Sequence, residues 1–288
     1  MQEQYYEIEK NNSFNLKHIF ECGQCFRWNK EVDGSYTGII GNNVLNVKDN
    51  DNKIKFSGIC QDNIKDLVTK YFNLNTDYDT IKKELSKIDE YLKTSIEFGS
   101  GIRILKQDLW ETIISFIISA NNNIPRIKGI IERMSKKYGE EIMYNGKSYY
   151  TFPNTNELSK ASVEDLRKLG LGFRDKRIYD TTKLFLDGTY NLEEIESMED
   201  TKKIRELLLE LPGVGPKVAD CILLFGLNRF DVFPIDVWVR RVMNELYIKK
   251  EDETKVKKEE IESLAKTKYA NLAGIAQQYL FYWKRETA

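Results

Sequence analysis

The chain has 288 residues, 41% hydrophobic and 31% charged, enough for one large domain or two ordinary ones with their own cores. Its 44 basic and 45 acidic side chains leave a net charge of −1, which weighs against a nonspecific polyanion binder without excluding a local basic face. No apolar run approaches the ~20 residues that span a bilayer, and the polar, acidic stretch Met1 to Lys10 is not a secretory signal, so the expectation is a cytoplasmic protein without a membrane partner.

In chain order, Ser35–Ile40 and Asn43–Val47 are β-prone segments punctuated by Asp33-Gly34 and Gly41-Asn42, and Lys53–Phe56 continues the alternation. Ile64–Phe72 and Tyr78–Ser86 switch to helical spacing. From about residue 101 the pattern is almost wholly helical. Gln107–Ala120 is apolar enough for a central buried helix, and Ile124–Tyr138 is amphipathic and basic. Ser162 opens a helix with Asp165 at the capping-box position. Arg174–Leu186, Thr201–Glu210, Lys217–Phe225, Asp236–Tyr247 and Glu259–Arg285 follow. The reading is an α+β protein with a strand-rich unit over 1–97 and a helical unit over 98–288. Four cysteines (Cys22, Cys25, Cys60, Cys221) and one histidine (His18) stand at no zinc spacing beyond a single C-x-x-C, so the chemistry falls to Lys, Asp, Glu, Cys or Tyr.

The most informative segment is Leu211-Pro-Gly-Val-Gly-Pro-Lys217, between two helices. Gly213 and Gly215 permit positive φ and close backbone approach. Pro216 suits the first turn of the second helix, whose free N–H groups form an anion site fit for a DNA phosphate. A plain helix–helix turn is the competing reading. Lys217 at that helix N-terminus feels the positive end of the dipole, which lowers its pKa, and a neutral amine can form a Schiff base with a sugar C1′. Cys221, four residues on, shares its helix face. Asp236 opens the next helix, either as a simple cap or as a carboxylate beside Lys217 that stabilises an oxocarbenium-like sugar.

Taken together, Leu211–Cys221 and Pro234-Ile-Asp236 resemble the helix-hairpin-helix DNA glycosylase superfamily, whose signature is hairpin, Gly/Pro-rich stretch and aspartate. Gly23-Gln-Cys-Phe-Arg-Trp28, Gln107-Asp108 with Ser119–Arg126, Leu169–Arg174 and Gln277–Phe281 resemble, in order, the motifs of its 8-oxoguanine branch. The resemblance implies an N-terminal antiparallel β-sheet with helices, followed by a mainly helical body around the hairpin. It implies a bifunctional glycosylase/AP lyase acting on duplex DNA that carries 8-oxoguanine opposite cytosine, as a monomer that requires no cofactor.

The same resemblance implies roles. Lys217 is the nucleophile and Asp236 its carboxylate partner. Gly23 offers a backbone carbonyl to N7–H of the oxidised base, Gln277 contacts its Watson–Crick edge, and Phe281 and Cys221 stack on either side. Asn121 plugs the hole left by the flipped base and Phe173 is a wedge. Arg126 and Arg174 read the orphaned cytosine with paired hydrogen bonds. Gly213, Gly215 and Trp238 face the DNA backbone, and the carbonyls of Leu209, Leu211 and Val214 hold a structural monovalent cation. Phe173 and Trp238 depart from the tyrosine and histidine of many eukaryotic relatives, which predicts weaker discrimination of the opposite base. A glycosylase for an alkylated purine and a noncatalytic DNA-binding hairpin module are the alternatives; Lys217 with Gly23-Gln24 weighs against the first, and Lys217 with Asp236 and the pocket residues against the second.

Overall fold

Alternating side chains and tight turns build the N-terminal sheet. The computed structural model describes residues 2–288. Strands β1 (Gln2–Glu9), β2 (Asn29–Lys30), β3 (Tyr36–Ile40), β4 (Asn43–Asn50) and β5 (Lys53–Cys60) form an antiparallel sheet in the order β1-β5-β4-β3-β2. Its register is set by two-residue turns, with Ile40 opposite Asn43 and Asn50 opposite Lys53. Gly41 and Asp51 adopt φ of 54° and 47° there, as such hairpins require. Strand β1 lies where the sequence suggested only a polar lead; Gln4, Tyr6 and Ile8 turn inward while their neighbours face water. Helix α1 (Leu16–Phe20) precedes β2, and α2 (Ile64–Tyr71) packs on β1 and β5. Trp28, Leu45, Val47, Ile54, Phe56 and Phe72 form this unit's core.

Helices α3 (Tyr78–Leu85) and α4 (Glu90–Phe98) precede the boundary expected at residue 97, yet Tyr78, Leu85, Leu92 and Ile96 belong to the helical core. Helix α5 (Leu109–Ser119) is the central helix, buried along nearly every side. Helix α6 (Ile124–Tyr138) is followed by a hairpin of β6 (Glu141–Tyr144) and β7 (Lys147–Tyr150), an exception to the helical reading. The hairpin turns on Asn145-Gly146, both at positive φ, and Ile142 and Tyr144 pack against Ile39 and Val44 of the first sheet.

The body continues with α7 (Thr155–Leu158), α8 (Val163–Lys168), α9 (Asp175–Leu186), α10 (Leu192–Ser197) and α11 (Thr201–Glu210). It ends with α12 (Pro216–Leu227), α13 (Val237–Met243), α14 (Lys258–Tyr269) and α15 (Ala273–Thr287). The capping box of Ser162 and Asp165 forms at the start of α8. The single final helix expected over 259–285 is two, because Ala270 at φ 46° interrupts the chain. Among the described residues no helix is long and apolar enough to cross a membrane.

A short crossing segment joins the two cores. Cys25 belongs to the sheet core, whereas Cys22 and Phe26 belong to the helical one. The buried amide of Gln24 holds the crossing: its Nε2 donates to the carbonyls of Ile19 (2.9 Å) and Arg103 (2.8 Å), and its Oε1 accepts from Leu105 N–H (2.9 Å). This pins Gly23 at the inner edge of the helical body. All four cysteines are free and buried, so the C-x-x-C makes no disulfide.

Candidate active site

A cavity of about 400 Å³ opens where α5, α12, α13 and α15 converge on the crossing segment. It gathers Gly23, Asn121, Lys217, Cys221, Asp236, Trp238, Gln277 and Phe281 from distant stretches of chain. Its apolar floor is a triplet of rings, with Phe116 stacked on Phe225 at 5.5 Å and edge-on to Phe26 at 5.6 Å.

Lys217 stands one residue inside α12, after the N-cap Gly215 and Pro216. Its Nζ lies 5.3 Å from the centre of the Phe116 ring, and Cys221 stands one helical turn on in α12 and lines the same cavity. Burial pushes the Cys221 thiol up to about 11, against the opposing pull of Lys217, so it is a neutral surface at physiological pH. Asp236 caps α13: its Oδ1 accepts from Val239 N–H at 2.7 Å. Among the described residues no ion pair joins Lys217 and Asp236, although both line the cavity. The amine and the carboxylate therefore face a shared space and leave each other free.

The opposite wall comes from α15 and the crossing segment. Gln277 is 5% exposed, and its Oε1 is buried without a hydrogen-bond partner among the described residues. An orphaned acceptor at the wall of a cavity is costly unless a ligand completes it. Gly23 sits at φ 87°, where a side chain is strained, and a methyl built on it would lie 3.5 Å from Phe281 Cε1 and 3.2 Å from Arg285 Nη1. Two residues with no role in the sequence reading enter here. Gln278 is buried and donates to the Cys22 carbonyl at 2.7 Å. Arg285 donates to the Glu21 carbonyl, with its guanidinium 5.4 Å from the Phe281 ring centre. Nothing local marks either one for these bonds, because the carbonyls they hold are more than 250 positions away.

Beside the cavity lies a face built by two loops and the hairpin. Asn121 is exposed at φ 52°. Phe173 is 54% exposed, with the guanidinium groups of Arg174 and Arg177 at 4.3 Å and 5.0 Å from its ring centre. Exposed Arg126 donates to the Gly170 carbonyl at 3.1 Å. Arg174 differs from the expected base reader: it is 1% exposed and donates to the carbonyls of Ala120 (2.9 Å), Asn121 (2.7 Å) and Leu171 (3.2 Å). The physical reason is that a guanidinium buried in the DNA-free chain must spend its N–H groups on protein carbonyls. Gly213 at φ 88° makes the hairpin turn against Arg177, and Gly215 caps α12 without a side chain, leaving that helix end open to an anion. Trp238, 38% exposed, flanks the cavity in the first turn of α13.

Leu209 and Val214 accept no backbone hydrogen bond among the described residues, while Leu211 accepts one, from Val214 N–H at 3.0 Å. Leu209 lies in the last turn of α11 and Leu211 caps it, where the helix dipole is negative.

The sequence was also compared with known proteins. Residues 7–113 match the family profile described as 8-oxoguanine DNA glycosylase, N-terminal domain, and residues 114–278 that of the HhH-GPD superfamily base excision DNA repair protein. The chain is 36% identical to an N-glycosylase/DNA lyase of Saccharomyces cerevisiae over 81% of its length and 68% of the relative's. It is 32% identical to a probable N-glycosylase/DNA lyase of Methanothermobacter thermautotrophicus, over 80% and 77%. Its fold superposes, with a TM-score of 0.90 and 42% identity over 96% and 93% of the two chains, on the Clostridium acetobutylicum 8-oxoguanine glycosylase/lyase in complex with double-stranded DNA containing cytosine opposite 8-oxoG.

Proposed function

The chain belongs to the 8-oxoguanine glycosylase/lyase family of HhH-GPD base excision repair proteins, and from that membership we propose a specific division of labour among its residues. It is a bifunctional DNA glycosylase and AP lyase that excises 8-oxoguanine from duplex DNA. The observation that carries the division is the convergence of Lys217, Asp236, Gln277, Phe281 and Gly23 on one cavity, with the amine and carboxylate unpaired and the Gln277 Oε1 unsatisfied.

The target base is stacked in the duplex, so it must be rotated out at a cost of a few kcal/mol. Asn121, exposed at the loop tip, fills the gap, and Phe173 wedges the stack. Arg126 reads the base left behind. Arg174, buried on the carbonyls of Ala120 and Asn121, holds the loop that carries Asn121. The open N-terminus of α12 and the turn at Gly213 take backbone phosphates, with Trp238 beside the lesion. A monovalent cation on the carbonyls of Leu209, Leu211 and Val214 supplies positive charge behind those phosphates.

In the pocket the base lies against Phe281 and the neutral Cys221 thiol. Gln277 meets its Watson–Crick edge, and the Gly23 carbonyl accepts N7–H, the hydrogen that guanine lacks. The free amine of Lys217 then attacks C1′. The glycosidic bond breaks, its electron pair leaves with the base, and a proton neutralises it. The sugar opens as a Schiff base on Nζ. Loss of a C2′ proton expels the 3′ phosphate and nicks the strand. Asp236 stabilises the positive charge at C1′ and escorts the protons. These steps need no cofactor, and a single chain supplies every group in them.

Borohydride trapping tests the assignment. Unmodified protein should crosslink to 8-oxoguanine duplex and Lys217→Gln should not. Trapping that survives the substitution would assign the Schiff base to another amine. Excision on a panel of lesions, each opposite all four bases, tests the substrate. Release of 3-methyladenine as fast as 8-oxoguanine would overturn it.

A further inference from the structure

Four consecutive carbonyls, those of Glu21, Cys22, Gly23 and Gln24, belong to the crossing segment, and Gly23 among them lines the cavity. Three of them are engaged. Arg285 Nη2 donates to Glu21, Gln278 Nε2 donates to Cys22 at 2.7 Å, and Gln107 Nε2 donates to Gln24 at 2.7 Å. Among the described residues no donor reaches the carbonyl of Gly23. A glycine has no Cβ to restrict its backbone, so at φ 87° nothing intrinsic keeps its carbonyl in one direction. That direction has to be imposed by the peptide planes on either side.

We propose that Gln278, seconded by Arg285, is a positioning residue for lesion recognition. By holding the carbonyl just before Gly23, it fixes the Cys22–Gly23 peptide plane. It also helps leave Gly23 as the unengaged acceptor among these four carbonyls. The geometry suits this task. Gln278 is 2% exposed, so its amide is held by its surroundings, and it lies next to Gln277 on α15, so one helix presents the base-edge contact and the clamp together. Cys22 is itself fully buried in the helical core, which anchors the clamped plane. The inference rests on the reading in which the Gly23 carbonyl accepts N7–H.

The test measures binding without turnover. In a Lys217→Gln background, affinities are compared for duplexes carrying 8-oxoguanine, guanine and a tetrahydrofuran abasic analogue, with and without Gln278→Met. The near-isosteric methionine removes the donor and keeps the volume. The ratio of oxoguanine to guanine affinity should fall by about ten-fold, the worth of one hydrogen bond in a buried site, while abasic affinity stays within about two-fold. Arg285→Met, at the partly exposed end of α15, should move the ratio in the same direction by less and carries little risk to folding. An unchanged ratio in both variants overturns the proposal, as does abasic affinity falling as far as oxoguanine affinity, which is what mere loss of structure produces. If the Lys217→Gln protein itself does not distinguish oxoguanine from guanine, the Gly23 reading has failed and takes the clamp with it.

Discussion

Asp236 caps α13 and faces the cavity of Lys217, and substitution separates the two duties. Asparagine also caps helices, so Asp236→Asn should leave stability within a few tenths of a kcal/mol while lowering single-turnover excision by ~10² or more. Asp236→Ala should lose the same activity and about 1 kcal/mol of stability besides, read by urea unfolding. The cysteines give a second prediction. Burial pushes Cys22, Cys60 and Cys221 up to about 11 and Cys25 higher. Native protein at pH 8 should therefore resist iodoacetamide at all four, and unfolded protein should react at each, as scored by mass spectrometry. At this scale the sequence was legible where chemistry announces itself, as with Lys217 after a glycine turn. It was silent on Gln278 and Arg285, whose meaning lies in carbonyls far away along the chain.

The hairpin between α11 and α12 depends on Gly213, where φ is 88° and an added methyl would lie 2.7 Å from Arg177 Cδ. Gly213→Ala should cost about 1–2 kcal/mol of stability, because the left-handed backbone penalises any Cβ even if Arg177 moves. It should also weaken binding to undamaged duplex, measured by fluorescence anisotropy, because the turn presents the anion-binding helix end. Elements with strong local signals lie where the spacing predicts them: α6 spans Ile124–Tyr138 and α11 spans Thr201–Glu210. Those that escaped depend on distant partners. Strand β1 is an edge strand with polar residues on its outer face, and it exists because β5 pairs with it along its full length. The β6–β7 hairpin is short and finds its apolar support on the first sheet. The break at Ala270 falls at a residue that favours helices, so tertiary packing overrides propensity there. Arginines add a further layer: Arg133 holds the Leu169 carbonyl and Arg174 those of Ala120 and Asn121, which cross-braces the two loops beside the cavity.

Across the whole molecule, sheet and helical body meet around a second cavity of about 600 Å³, lined in part by Glu111 at the start of α5. Burial pushes the Glu111 carboxyl up to about 7, with Arg27 opposing and Asp108 adding to the rise. A folded value above the ordinary one means that the native state holds the proton more tightly. The contribution to stability is therefore full below about pH 4.5 and is lost as pH rises through 7. Glu111→Gln should match the unsubstituted protein near pH 4 and exceed it at pH 8, by an amount on the order of 1–3 kcal/mol, in thermal unfolding followed across pH. The bond from Gln278 to Cys22 has a different consequence. It links residues 256 positions apart, whereas α11 and α12 are neighbours in the chain. Closing a loop of that length costs chain entropy before the bond can form, whereas the contacts of the hairpin are local. In a folding molecule the local contacts of the hairpin are therefore favoured to form before the bond that joins two such distant segments.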